Sequence, residues 1–183
     1  MAGFKIFLFS ALLLLCGCRM SIAQSSQLKL VFIRHAERPD DGENLNCQGL
    51  NRSLLLSSVL YKKFGIATGI YVPAINIGYA TKRSRMLQTI SPYAIKYNLA
   101  INSYYEENDA KRLSATLLQQ RGIVLIVWEH RNIAPILRCL GIRDDLKWPS
   151  DDFDSIWIVT FKNGRAVLLR DKERLRPSPD CPF

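Results

Sequence analysis

Two stretches of the chain are almost wholly apolar, Leu28–Ile33 and Ile123–Trp128. Runs this short, with almost no polar alternation, suit strands buried on both faces of a sheet. Between and after them, apolar positions recur at helical spacing. Leu50, Leu54, Val59, Leu60 and Phe64 predict a helix that stops at Gly65. Met86, Leu87, Ile90, Ala94 and Ile95 predict a second, which Pro92 kinks or interrupts. Leu113, Leu117 and Leu118 predict a third through Gln120, and Ile133–Leu140 a short fourth. Ala74–Tyr79 is expected to be a second strand and Leu99–Ile101 a brief one. Ser155–Phe161 and Arg165–Leu169 flank Asn163-Gly164, a dipeptide that favours a tight hairpin turn. Strands alternating with helices predict an α/β chain: a three-layer α/β/α sandwich with a mostly parallel central sheet and a C-terminal antiparallel hairpin. In such sheets reactive groups gather at the carboxyl ends of the strands.

The first 23 residues read differently. Lys5 supplies a weakly positive start, Ile6 to Leu15 is apolar or small throughout, and Ser21-Ile22-Ala23 offers small residues for cleavage before Gln24. This is the pattern of a secretory signal peptide, and the apolar run is short for a bilayer span. A second reading takes Leu15-Cys16-Gly17-Cys18 as a lipoprotein processing site, with Cys18 lipidated and the protein tethered to a membrane. Either way residues 24–183 form a single domain, and the expected location is exported: periplasmic or extracellular, or lipid-anchored to the envelope.

Composition changes this picture little. The 183 residues are 48% hydrophobic and 22% charged, which is ordinary for a globular chain. The net charge of +9 suits phosphate-bearing partners and anionic surfaces, but Lys and Arg scattered in this way are more simply read as a solvated face. No basic stripe interleaved with aromatics appears, so nucleic-acid binding finds no support. Cysteines beyond residue 23 are Cys47, Cys139 and Cys181. Cys139 falls in a helical apolar pattern and is expected in the core, which leaves Cys47 with Cys181 as the favoured disulfide in an oxidising compartment.

The chain has only two histidines, and both occupy the same kind of place. His35 follows the first apolar strand, one residue past Arg34; His130 follows Ile123–Trp128, one residue past Glu129. If both strands are parallel and central, the two imidazoles share one rim of the sheet. Two histidines without a supporting Cys or carboxylate pattern make a poor metal site. The absence of Gly-Xaa-Ser-Xaa-Gly weakens a serine-hydrolase reading. Arginine, in contrast, presents a fork of donors matched to phosphate oxygens, and a neutral imidazole can attack phosphorus. Tyr79–Arg85 adds several cations where a strand gives way to a helix, whose first N–H groups also suit an anion.

With these pieces in order, the chain resembles the histidine phosphatase superfamily, also called phosphoglycerate mutase-like. The resemblance rests on Arg34-His35-Ala36 in VFIRHAERP, on Arg85 four residues before Thr89 in SRMLQTI, and on the strand VLIVWEH ending in His130. DDFDSIWIVTFKNG is similar to the closing strands of small, secreted-type members. Ala36 stands where glycine is commoner. The resemblance implies that His35 is the nucleophile that becomes phosphohistidine. It implies that Arg34 and Arg85 grip phosphate oxygens, and that His130 is a second phosphate contact, protonated when phosphate is bound. Water then hydrolyses the phosphohistidine, with no metal or cofactor.

The proton donor is left open. Glu106 and Glu107 follow the third short strand, near where mutase-like members carry their acid. Glu129 adjoins His130, on the opposite side from the acid of phytase-like members, and Glu37 is a further choice. Arg52 matches a family position on the first helix, as a helix-surface or supporting residue. Without the insertions that build mutase and phytase pockets, the expected cleft is open and the expected partner a small phosphomonoester. The alternative is a phospho-ligand-binding module of the cell envelope that has lost turnover.

Overall fold

The computed structural model describes residues 28–75 and 82–183. One sheet holds β1 (Lys29–Arg34), β2 (Gly69–Tyr71), β3 (Ile123–Trp128), β4 (Ser155–Lys162) and β5 (Arg165–Lys172), in the order β2-β3-β1-β4-β5. β1 and β2 each pair with β3 in parallel, while β4 runs antiparallel to both β1 and β5. The helices among the described residues are α1 (Cys47–Phe64), α2 (Ser84–Tyr97), α3 (Ala110–Leu117) and α4 (His130–Cys139).

The unalternating strands are explained by two cores, one on each face. Leu30 and Phe32 of β1 and Val124, Ile126 and Trp128 of β3 enter a core shared with Leu113, Leu117, Ile133, Ile136 and Leu137 of α3 and α4. Val31, Ile33, Leu125 and Val127 point the other way, into a core with Leu56 and Leu60 of α1 and Met86, Ile90 and Tyr93 of α2. A period-2 strand with both faces covered must be apolar at every position. Three layers follow, the α/β/α sandwich expected from the sequence. Phe32 has no exposed surface; truncating such a side chain to alanine costs about 3–5 kcal/mol.

Several boundaries differ from the sequence reading. The second strand is Gly69–Tyr71, three residues at the sheet edge that open on a glycine, and so give little strand signal. Of the expected strand Ala74–Tyr79, residues 74–75 are irregular, with the Ala74 N–H donating to the Tyr105 carbonyl at 2.7 Å, and residues 76–79 lie outside the described residues. Leu99–Ile101 forms no strand; a single parallel bridge joins Tyr71 to Asn102. α2 runs through Pro92 without a break. α3 ends at Leu117, short of Gln120. α4 begins at His130, three residues earlier than expected, because the Glu129 side chain caps it, a residue type that is not a usual N-cap signal. The expected signal segment also lies outside the described residues.

Cys139 is exposed rather than in the core: it is the last residue of α4, off the buried stripe of Ile133, Ile136 and Leu137. Cys47 and Cys181 form a disulfide. It pins the C-terminal segment to the start of α1, where the Asn51 side-chain amide also donates to the Ser178 and Asp180 carbonyls at 2.9 and 2.6 Å. Gly49 is required in that first turn, since a Cβ there would lie 2.1 Å from the Glu37 carbonyl oxygen.

Candidate active site

β1 and β3 end together. Arg34 pairs with Trp128, and the next residue, His35, donates its N–H to the Trp128 carbonyl at 3.2 Å. Glu129 and His130 leave β3 at the same level, and α4 starts there, with a Glu129 carboxylate oxygen accepting from the Arg131 N–H at 2.7 Å. Both imidazoles therefore reach one cavity of about 310 Å³. Arg34, His35, Arg85, Glu129, His130 and Ser150 line it, and the exposed Arg38 and Arg131 complete the lining.

His35 is 2% exposed. Its Nδ1 lies 2.7 Å from the Ala36 carbonyl oxygen. A carbonyl only accepts, so Nδ1 carries the hydrogen and Nε2 keeps its lone pair. Burial first, then the charges of Arg34 and Arg85, lower the His35 pKa to about 3, against the pull of the Ala36 carbonyl. The imidazole is thus neutral across the ordinary pH range.

Arg34 is buried, with Nη1 donating to the Ser150 carbonyl and the guanidinium 3.9 Å above the Phe153 ring centroid. Burial lowers its pKa to about 10, which still leaves a cation at neutral pH. Arg85 donates Nη1 to the Gly42 carbonyl at 2.8 Å and stands 3.6 Å from a Glu43 carboxylate oxygen. The Nε of each arginine is buried and has no hydrogen-bond partner among the described residues.

His130 Nδ1 lies 2.7 Å from Glu129 Oε1, but out of line for a hydrogen bond, so this nitrogen too is unsatisfied. Burial and Arg34 hold its pKa below the usual histidine value, with Glu129 opposing. His130 is therefore mostly neutral near pH 7.

Thr89 explains the four-residue spacing from Arg85. Its hydroxyl donates to the Arg85 carbonyl at 2.7 Å and accepts the Ala36 N–H at 2.9 Å. One side chain joins the loop after β1 to the helix that carries Arg85.

Of the four glutamates considered as acid, only Glu129 lines the cavity among the described residues. Glu107 accepts from the Asn132 side-chain amide at 2.8 Å and lies 3.1 Å from Arg83 Nε, while Glu106 pairs with Arg83 Nη1. Arg83 is thereby drawn away from the cavity, so of the basic Tyr79–Arg85 turn Arg85 alone lines it; residues 79–81 are outside the described residues. At the N-terminus of α2 the Arg83 N–H is already taken, by Glu43 at 3.1 Å. Glu37 turns to Arg52, which donates to both of its oxygens at 2.7–3.0 Å and to Glu173 at 2.6 Å. Arg52 is thus buried beneath the site, not on the helix surface.

The sequence reading missed Ser150, Phe153, Arg38 and Arg131. Arg38 was visible in RHAERP, but Ser150 and Phe153 sit in an irregular segment that carried no pattern of its own. Among the described residues no cluster of three or more His, Cys, Asp or Glu side chains could hold a metal ion. A larger depression of about 460 Å³ beside α2 is lined by Ser91, Ala94, Ile95, Asn98, Leu99 and Ile101, none of which titrates.

No protein-family model matches the chain, and no curated protein matches its sequence. Solved structures do match its fold. The protein histidine phosphatase SixA complexed with tungstate aligns at TM-score 0.59 and 17% identity, over 80% of this chain and 97% of that one. A candidate phosphohistidine phosphatase SixA from Agrobacterium tumefaciens aligns at 0.58 and 17%, over 84% and 100%. Phosphoglycerate mutase from Bacillus anthracis aligns at 0.53 and 12%, over 87% and 96%. These neighbours belong to the histidine phosphatase superfamily, and the chain has their fold.

Proposed function

We propose that the chain is a phosphatase of the histidine phosphatase superfamily, hydrolysing a phosphomonoester through a phosphohistidine on His35. The observation that carries this reading is the buried, neutral His35 with Nδ1 committed to the Ala36 carbonyl, in a cavity shared with Arg34, Arg85 and His130. A nucleophilic imidazole needs its lone pair, and this tautomer retains it on Nε2.

In the proposed reaction His35 Nε2 attacks phosphorus and the bond from phosphorus to the ester oxygen breaks. The leaving oxygen takes a proton, and Glu129 is the donor this reading favours. Arg34 and Arg85, which line the cavity, stabilise charge on the transferring group through their guanidinium cations. His130 takes up a proton as the phosphate dianion enters, because the added negative charge raises its lowered pKa. Water then attacks phosphorus and gives a proton back to Glu129, the P–N bond breaks with its electron pair returning to His35 Nε2, and inorganic phosphate leaves. The Cys47–Cys181 disulfide supports export to an oxidising compartment.

Turnover of para-nitrophenyl phosphate across pH 4–8, a range set around the ordinary histidine pKa of about 6.5, tests this proposal. Brief exposure to a labelled phosphomonoester followed by denaturing quench should leave an acid-labile, base-stable phosphoryl group on His35, absent from His35→Ala. Label on a serine, or none during rapid hydrolysis, would overturn the mechanism. The second reading is a phosphate-binding module, favoured by the engagement of Glu129 with the Arg131 N–H. It predicts phosphate binding with no turnover.

A further inference from the structure

The segment between α4 and β4 holds Arg34 from two directions. The Ser150 carbonyl accepts from Nη1, and the Phe153 ring lies against the guanidinium, 3.9 Å from centroid to Cζ. The same ring is tilted against His35, at 6.1 Å between centroids. The segment is itself braced. The Trp148 indole donates to the Asp152 carbonyl at 2.9 Å and packs on Trp157 of β4, at 4.6 Å. The Asp152 carboxylate accepts from the Asp154 and Ser155 N–H groups and the Ser155 hydroxyl, and lies 3.5 Å from Lys172 Nζ on β5. A carbonyl and a ring on this support are therefore fixed to the sheet.

An arginine left free to change rotamer loses that freedom when it takes a ligand. The two contacts spend little of its bonding capacity. The ring engages the face of the guanidinium, whereas the N–H groups lie in its plane, so stacking and in-plane bonding to oxygens are compatible. One Nη is committed to Ser150, Nε is buried and has no partner among the described residues, and the side chain as a whole lines the cavity.

We propose that Phe153, with the Ser150 carbonyl, is a positioning element that fixes the Arg34 guanidinium with its donors toward the cavity before phosphate arrives. Neither group touches phosphate; both act through Arg34. The inference rests on the reading of Arg34 as a phosphate ligand.

The test uses the full, disulfide-bonded chain and inorganic phosphate as probe. Calorimetric dissociation constants and thermal midpoints are compared for wild type, Phe153→Leu, Phe153→Tyr, Arg34→Gln and Phe153→Leu with Arg34→Gln. Leucine keeps bulk and loses the π-face; tyrosine keeps the face. The expected result is binding weakened about three- to tenfold by Phe153→Leu, within the range of a desolvated cation–π contact. Tyrosine should stay within about twofold, and adding Phe153→Leu to Arg34→Gln should cost nothing more, the coupling expected of residues that act through one another. Phe153→Met serves if the leucine variant does not fold. Wild-type affinity in Phe153→Leu, or an equal loss with and without Arg34, would overturn the clamp. Unchanged phosphate binding in Arg34→Gln would overturn the reading of Arg34 and the clamp with it, which separates that failure from the clamp's own.

Discussion

The Thr89 hydroxyl accepts the Ala36 N–H at 2.9 Å, so the residue that follows Arg34 and His35 is tied to the helix bearing Arg85 by a buried hydrogen bond. Replacing Thr89 with valine keeps the shape and orphans that N–H. The expected cost is about 1–3 kcal/mol of stability, with kcat/KM for nitrophenyl phosphate falling further than the thermal midpoint alone accounts for. Denaturant titration beside steady-state kinetics checks this. A valine variant as active and as stable as wild type would remove Thr89 from the site's support.

The lowered His35 pKa has a definite sign. With a folded value of about 3, the nucleophile stays neutral well below the ordinary histidine range. After allowance for the ester's own titration, kcat/KM in a His130→Asn background should show no acid limb near pH 6.5 and should decline only toward pH 3. A limb near 6.5 in that background would contradict the buried-neutral assignment. Stability moves in the same window. Between pH 6.5 and about 3 the unfolded chain binds a proton that native His35 refuses, so stability falls as pH drops, and His35→Asn should flatten that fall.

Glu129 can be tested as acid without relying on loss of activity alone. A proton donor matters most when the leaving oxygen is a poor one. Glu129→Gln should therefore slow hydrolysis of an alkyl phosphate by about 100-fold, at the low end of general acid catalysis, and para-nitrophenyl phosphate much less. Equal slowing of both esters would instead fit Glu129 as the cap of α4 and the neighbour of His130.

Beneath the site, Arg52 meets two buried carboxylates, Glu37 and Glu173. One cation cannot balance both. Burial raises the Glu173 pKa to about 8, with Arg52 opposing and the charges of Asp154 and Glu37 adding to the rise. Between the ordinary glutamate value of about 4.3 and about 8 the native chain keeps a proton that the unfolded chain releases, so this group's contribution to stability is lost as pH rises. Glu173→Gln should remove a slope of up to about 1.4 kcal/mol per pH unit across that window. Urea melts of both proteins at pH 5, 6.5 and 8 decide it, and parallel pH dependences would count against a protonated Glu173.

The central strands and the shared rim were legible because their cause is local and strong: six-residue apolar runs, each leading directly to a histidine. The closing hairpin was legible through Asn163-Gly164, where Asn163 has φ 52° and Gly164 φ 73°. β2 was not, because a three-residue edge strand beginning with Gly69 draws its existence from pairing with β3 rather than from its own residues. The start of α4 was hidden by an unusual cap, and the buried state of Arg52 by its helical spacing, which says nothing about the carboxylates waiting opposite. Within the cavity, Arg34, His35, Arg85 and His130 could be named from motifs. The fates of Glu37, Glu106 and Glu107 depended on Arg52 and Arg83, partners distant in sequence.

The disulfide closes residues 47–181 into a covalent ring that includes β3 and β4, the two neighbours of β1 in the sheet, but leaves β1 itself outside. The strand that delivers Arg34 and His35 is therefore a guest, slotted between two members of a loop to which it is joined only by the polypeptide from Ala36 to Asn46. A single cut in that connection would leave no covalent link between the strand that carries His35 and the ring that carries Arg85 and His130.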